Sequence, residues 1–97
     1  MTLMISQPMR GKTQKQINEE RNALVKDLTN KGYTVANTVF AEQTPETDNV
    51  AIWYLAKSID AMSAVDGVVF MKGWENARGC RIEHDIAVAY GLFVKEL

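Results

Sequence analysis

A single cysteine among 97 residues rules out an internal disulfide and matches a reducing compartment. One histidine beside that one cysteine cannot assemble a tetrahedral nitrogen and sulfur site, so no metal is expected. Long apolar runs are missing as well: nothing approaches the roughly 18 residues of a membrane span. No charged-then-apolar leader opens the sequence, so no membrane partner is expected and the expected compartment is the cytoplasm. Excess charge of either sign is absent. A net charge of −1 and a pI near 5.8 give no basic field for nucleic acid. Gly-x-Gly-x-x-Gly, the phosphate-loop lysine motif and the Gly-x-Ser-x-Gly elbow do not occur, which removes weight from dinucleotide enzymes, nucleoside triphosphatases and serine hydrolases. No cofactor is expected.

What is present is globular. Apolar residues make up 46% and charged residues 24%, far from a disordered or coiled-coil composition. The length suits one domain over residues 1–97, too small for a large private cleft. "TLMIS" is a buried-strand candidate, followed by the turn-rich "QPMRGKT". A helix is predicted from about Thr13, with Ile17, Leu24, Val25 and Leu28 on one face and Gly32 as its stop. "YTVAN" reads as a second strand, and "EQTPETDN" as a loop into a helix from about Val50 to Ala64. That helix is expected to turn Trp53, Ala56, Ile59 and Met62 inward. "DGVVFM" is a continuous apolar run, the mark of a strand covered on both faces. "KGWENAR" leads into a third helix ending at Gly91, and "LFVKE" closes as a last strand.

Strand and helix alternation predicts an α/β fold: a small Rossmann-like, doubly wound parallel sheet of about four strands, with helices on both faces. Right-handed crossovers make 2-1-3-4 the simplest strand order. Ligands in such sheets bind beyond the carboxyl ends of the strands, where the order reverses. Residues Ser6, Gln7, Arg10, Gly11 and Lys12 of the first loop converge there. So do Lys72, Gly73, Trp74, Asn76 and Arg78 of the second, with Gly79 opening the helix. Arginines beside a helix N-terminus receive phosphate or another anion, although each of these charges is equally readable as a solvated loop residue. Trp74 fits a stacking role, a core position or an interface.

Glu83 stands out on this last helix. Its neighbours at three and four residues are Cys80, Ile86, Gly79 and Ala87, with no cation among them. An exposed glutamate needs no partner, but one set in apolar surroundings at a helix start is suited to attack an electron-poor carbon. Cys80 reads as a packing residue and His84 as a surface one.

"ISQPMRG" and "VDGVVFMKGWENARGCRIEHDIAVAYGL", with the spacing between them, resemble the nucleoside 2-deoxyribosyltransferase-like superfamily. The likeness is to its short bacterial and phage members, related to deoxynucleoside 5′-monophosphate N-glycosidases. It implies a nucleoside- or nucleotide-like ligand, a homodimer or larger homo-oligomer, and a bacterial or phage-infected host cell. It implies cleavage of the base–deoxyribose bond, with Glu83 as the attacking carboxylate and Ser58, Asp60 and Asp66 as candidate supporting residues. Four positions depart from the pattern of active members. Ser58 replaces an aspartate, Met4 a tyrosine, Gln7 a glycine and Ala77 a phosphate-holding serine. The resemblance therefore implies either turnover through Glu83 or a catalytically inactive protein that senses or sequesters nucleotides. A purely structural role for the domain is the third reading.

Overall fold

The computed structural model describes residues 1–36 and 46–97. The elements in chain order are β1 (Thr2–Ser6), α1 (Gln14–Asn30), β2 (Thr34–Val35), α2 (Val50–Met62), β3 (Gly67–Phe70), a 3-10 turn (Trp74–Asn76), α3 (Arg78–Ala89) and β4 (Phe93–Glu96). The strands form one all-parallel sheet in the order β2-β1-β3-β4, as the alternation predicts. Strand limits fall within a residue or two of the sequence reading, the usual uncertainty of element ends. Asn37, read as the end of the second strand, lies outside the described residues. No helix among the described residues is long and apolar enough to cross a membrane.

Local chemistry sets the helix starts. Thr13 caps α1: its hydroxyl accepts from the Gln16 amide at 3.1 Å, while the Gln16 side chain accepts from the Thr13 amide at 2.9 Å. Asn49 does the same for α2 through Ile52, at 3.0 Å.

Period-two alternation sorts the strands into two core layers. Leu3 and Ile5 of β1 pack with Val69 of β3 against Leu28 of α1. Met4, Val68 and Phe70 face the opposite way, against Met62 of α2 and Ala87 of α3. The same alternation assigns the next two residues. Ser6 continues the Met4 face toward α2 and α3, and Gln7 continues the Ile5 face toward α1.

The α1 face is as expected: Ile17 and Leu28 are buried, with Leu24 and Val25 half-buried against the core. The α2 face is a correction. Ala56 and Ile59 are exposed and Trp53 only half-buried, whereas Met62 is buried. The inward face instead runs through Leu55, Ser58 and Met62. With apolar residues on almost every side of this helix, hydrophobic pattern alone does not choose between faces.

One glycine is required by packing. Gly67 pairs with Phe93 across β3 and β4, and a Cβ there would lie 2.7 Å from both the Phe93 Cβ and its carbonyl oxygen. Gly67→Ala must push the strands apart, so we expect a loss of about 1–3 kcal/mol in chemical denaturation, the usual cost of overpacking. A neutral result would show that β4 is free to shift.

Candidate functional site

A cavity of about 410 Å³ opens beyond the carboxyl end of β1, within the range of small-molecule pockets. Its walls come from four segments. Ser6, Gln7 and Met9 rise from the end of β1 and its loop, and Gln14 and Arg21 from α1. Tyr54, Leu55 and Ser58 descend from α2, with Gly79, Cys80 and Glu83 from α3.

Glu83 belongs to the buried stripe of α3 together with Cys80 and Ala87. It is only 7% exposed. The alternation of β1 delivers Ser6 to it, and the Ser6 hydroxyl donates to Glu83 Oε2 at 2.7 Å in a buried contact. Among the described residues the Glu83 carboxylate has no ion pair. Burial therefore raises its pKa above the ordinary value of 4.5, while the Ser6 and Ser58 hydroxyls pull it back down. The result is a desolvated carboxylate held by a hydroxyl donor, with no ion-pair partner among the described residues.

Cys80 sits beside this pair. Burial pushes its thiol pKa up, the Ser6 hydroxyl opposes that, and the charge of Glu83 adds to the rise. A protonated thiol is a poor nucleophile, which agrees with a packing role. Arg21 is 8% exposed, and burial lowers its pKa below the ordinary arginine value. No cluster of three or more metal-binding side chains exists among the described residues.

Of the residues singled out from sequence, the fold places Ser6, Gln7, Ser58, Gly79 and Glu83 around one cavity. Arg10, Gly11, Gly73, Trp74, Asn76 and Arg78 are not part of its lining. Arg10, Gly11, Asn76 and Arg78 are solvent-exposed. Gly73 forms a left-handed turn at φ 94° just before the 3-10 segment. Trp74 lies flat on the His84 ring, with centroids 4.1 Å apart and planes 10° apart, and it is tilted by 52° to the Phe70 ring. It covers the core there, because His84 is itself anchored by Glu96 at 2.7 Å. Asp60 is exposed, on the outer side of α2. Asp66 accepts from the Thr2 amide at 2.7 Å, at the start of β1. Ser6 lies four residue steps beyond Thr2 along β1, or about 13 Å, so Asp66 clasps the opposite end of the sheet.

Arg21, Gln14, Tyr54 and Met9 line the cavity without having stood out in the sequence. Arg21 left a trace: it occupies the apolar stripe of α1 between Ile17 and Leu28, where a charge is out of place. Tyr54 and Met9 left none.

Ser6→Ala tests the central contact. It leaves a buried carboxylate without its hydroxyl donor, which should cost about 1–3 kcal/mol of stability when Glu83 is ionised. The Glu83 pKa should also rise further, because a bond to the charged form is lost. Denaturation and NMR titration of the Glu83 carboxyl check both effects. An unchanged titration would mean that the hydroxyl does not hold the carboxylate.

The chain belongs to the family described as a domain of unknown function, DUF4406, whose model matches residues 1–96. No curated protein and no solved structure matches the chain.

Proposed function

We propose that this member of the family holds a nucleoside- or nucleotide-like ligand in the cavity, with Glu83 set against the anomeric carbon. The N-glycosidases and deoxyribosyltransferases that the sequence resembles work in this way. The observation that carries the reading is the buried Glu83 carboxylate, fixed by Ser6 at 2.7 Å on the wall of a cavity large enough for such a ligand. A buried anion without a cation is costly to maintain in an empty fold. An electron-poor sugar carbon is a partner that would justify it.

In this reading a Glu83 oxygen forms a bond to C1′ as the C1′–N bond breaks. The bonding pair leaves with the base, which takes a proton from water. Water then attacks C1′ and frees the carboxylate, releasing the sugar and a proton; another base could take the place of water. Positive charge on the sugar ring peaks between these states, and an adjacent carboxylate stabilises it. Because Glu83 must be ionised, the acidic limb of the rate profile should lie above 4.5.

One observation favours a second reading, binding without turnover. Ser58 faces the cavity where active relatives of the resembled superfamily carry an aspartate, and Glu83 is the one carboxylate among the described lining residues. A second acid–base group is usually worth about 10²–10⁴ in rate. Incubation with deoxynucleosides and their monophosphates, followed by chromatography, separates the readings. Free base supports turnover, and ligand recovered unchanged supports a sensor or sequestering protein. If no member of the panel raises the melting temperature, neither reading stands, since a ligand of the folded state must stabilise it.

A homo-oligomer in the cytoplasm of a bacterial or phage-infected cell belongs to the same reading. Val50, Ile52 and Tyr54 of α2 leave apolar surface exposed, which a second copy would cover.

A further inference from the structure

We infer that Gln7 reads the nucleobase, and that the bases accepted are those bearing an exocyclic amino group: cytosine, adenine or guanine. This rests on the nucleoside reading of the cavity and adds which ligands it takes.

The side chain of Gln7 is 93% enclosed, at 7% exposure, yet it lines the cavity. Its amide nitrogen is committed, donating to the Ile17 carbonyl of α1 at 2.9 Å. That bond fixes which end of the amide is which, since a carbonyl oxygen could not face another carbonyl. The remaining oxygen, Oε1, has no partner, and among the described residues it is the one buried side-chain polar atom so left. Native proteins rarely tolerate such an atom without a reason such as a ligand or an ordered water.

Strand geometry supplies the direction. Ser6 and Gln7 are consecutive and face opposite layers, so a ligand with its sugar against Glu83 extends its base toward α1 and Gln7. The oxygen there accepts hydrogen bonds and cannot donate. An exocyclic amino group projects beyond the ring and reaches a recessed acceptor. The ring N–H of thymine or uracil is flanked by two carbonyls that would oppose the same oxygen.

The test uses the full-length Glu83→Gln protein, so that ligands are not consumed. Calorimetric titration with deoxycytidine, deoxyadenosine, deoxyguanosine, deoxyuridine and thymidine should show the three amino-bearing nucleosides binding about tenfold more tightly, the worth of one well-made hydrogen bond. Adding Gln7→Met should remove that advantage and leave deoxyuridine and thymidine unchanged. It should also leave the melting temperature close to its starting value, because the orphaned oxygen disappears along with the bond to Ile17. Equal affinity for all five nucleosides overturns the inference without any Gln7 variant. So does a Gln7→Met protein that loses all five alike. If the Glu83→Gln protein binds none of them, the nucleoside reading itself fails and the inference falls with it.

Discussion

Glu83→Gln is expected to reduce base release by on the order of 10⁴-fold or more, the scale on which covalent enzymes respond to loss of the nucleophile. The amide matches the carboxyl in shape and still offers an oxygen to the Ser6 hydroxyl, so the cavity should persist. What disappears is the charge that, in the proposed glycosidase reading, attacks C1′ and steadies the oxocarbenium-like state. A variant that releases base at the native rate would remove Glu83 from the chemistry.

The same variant should be more stable than the native protein at neutral pH. Glu83 has a folded-state pKa raised above 4.5 by burial, so the folded protein binds its proton more tightly than the unfolded chain does. The resulting contribution to stability is complete below 4.5 and is lost as pH rises through the raised value. Glutamine does not titrate. Denaturation curves for the two proteins should therefore separate as pH rises through that window and converge below it. If both stability profiles keep a constant offset across the window, the carboxyl is not buried as described. Lower base release and higher stability from one substitution would mark a residue kept for function.

Phe70→Ala carries the largest expected cost to the fold, about 3–5 kcal/mol out of a total of about 5–15 kcal/mol. Phe70 is completely buried and ends β3 among Met4, Met62, Val68 and Ala87. Its ring also makes an edge-type contact with His84 at 4.9 Å and a tilted one with Trp74 at 5.6 Å between ring centroids. Truncation thus leaves a cavity and also removes the surface on which the Trp74–His84 stack rests. Urea denaturation should register the loss, and tryptophan fluorescence should shift toward that of a more exposed ring. A cost below about 1 kcal/mol would mean that the layer collapses to fill the gap.

The sheet order was legible because it follows from alternation and handedness, two rules that act along the whole chain. Glu83 was legible for a similar reason: its helical neighbours are apolar or small, and a local periodicity places it on their side. The loop cations Arg10 and Arg78 were harder to place. Sequence located their loops at the correct edge of the sheet, but side-chain direction in a turn depends on a few dihedral angles that no periodicity controls. Trp74 shows the same limit, since its stacking partner His84 lies ten residues away and looked like a surface residue. Arg21 was visible as a charge within an apolar stripe, yet its place in the cavity depends on how α1 crosses the sheet. Only Met62 of the inward face of α2 could be read, because Leu55 competes with Trp53, Ala56 and Ile59 on nearly equal terms. The packing that resolved that competition is what brought Ser58 beside Glu83.

The hollow at the end of β1 draws its walls from both sides of the sheet, with α1 on one side and α2 and α3 on the other. A guest seated there would act as a splice between two half-cores that lie on opposite faces of four short strands. Occupancy should therefore slow hydrogen exchange in all three helices together, including amides far from any contact with the guest.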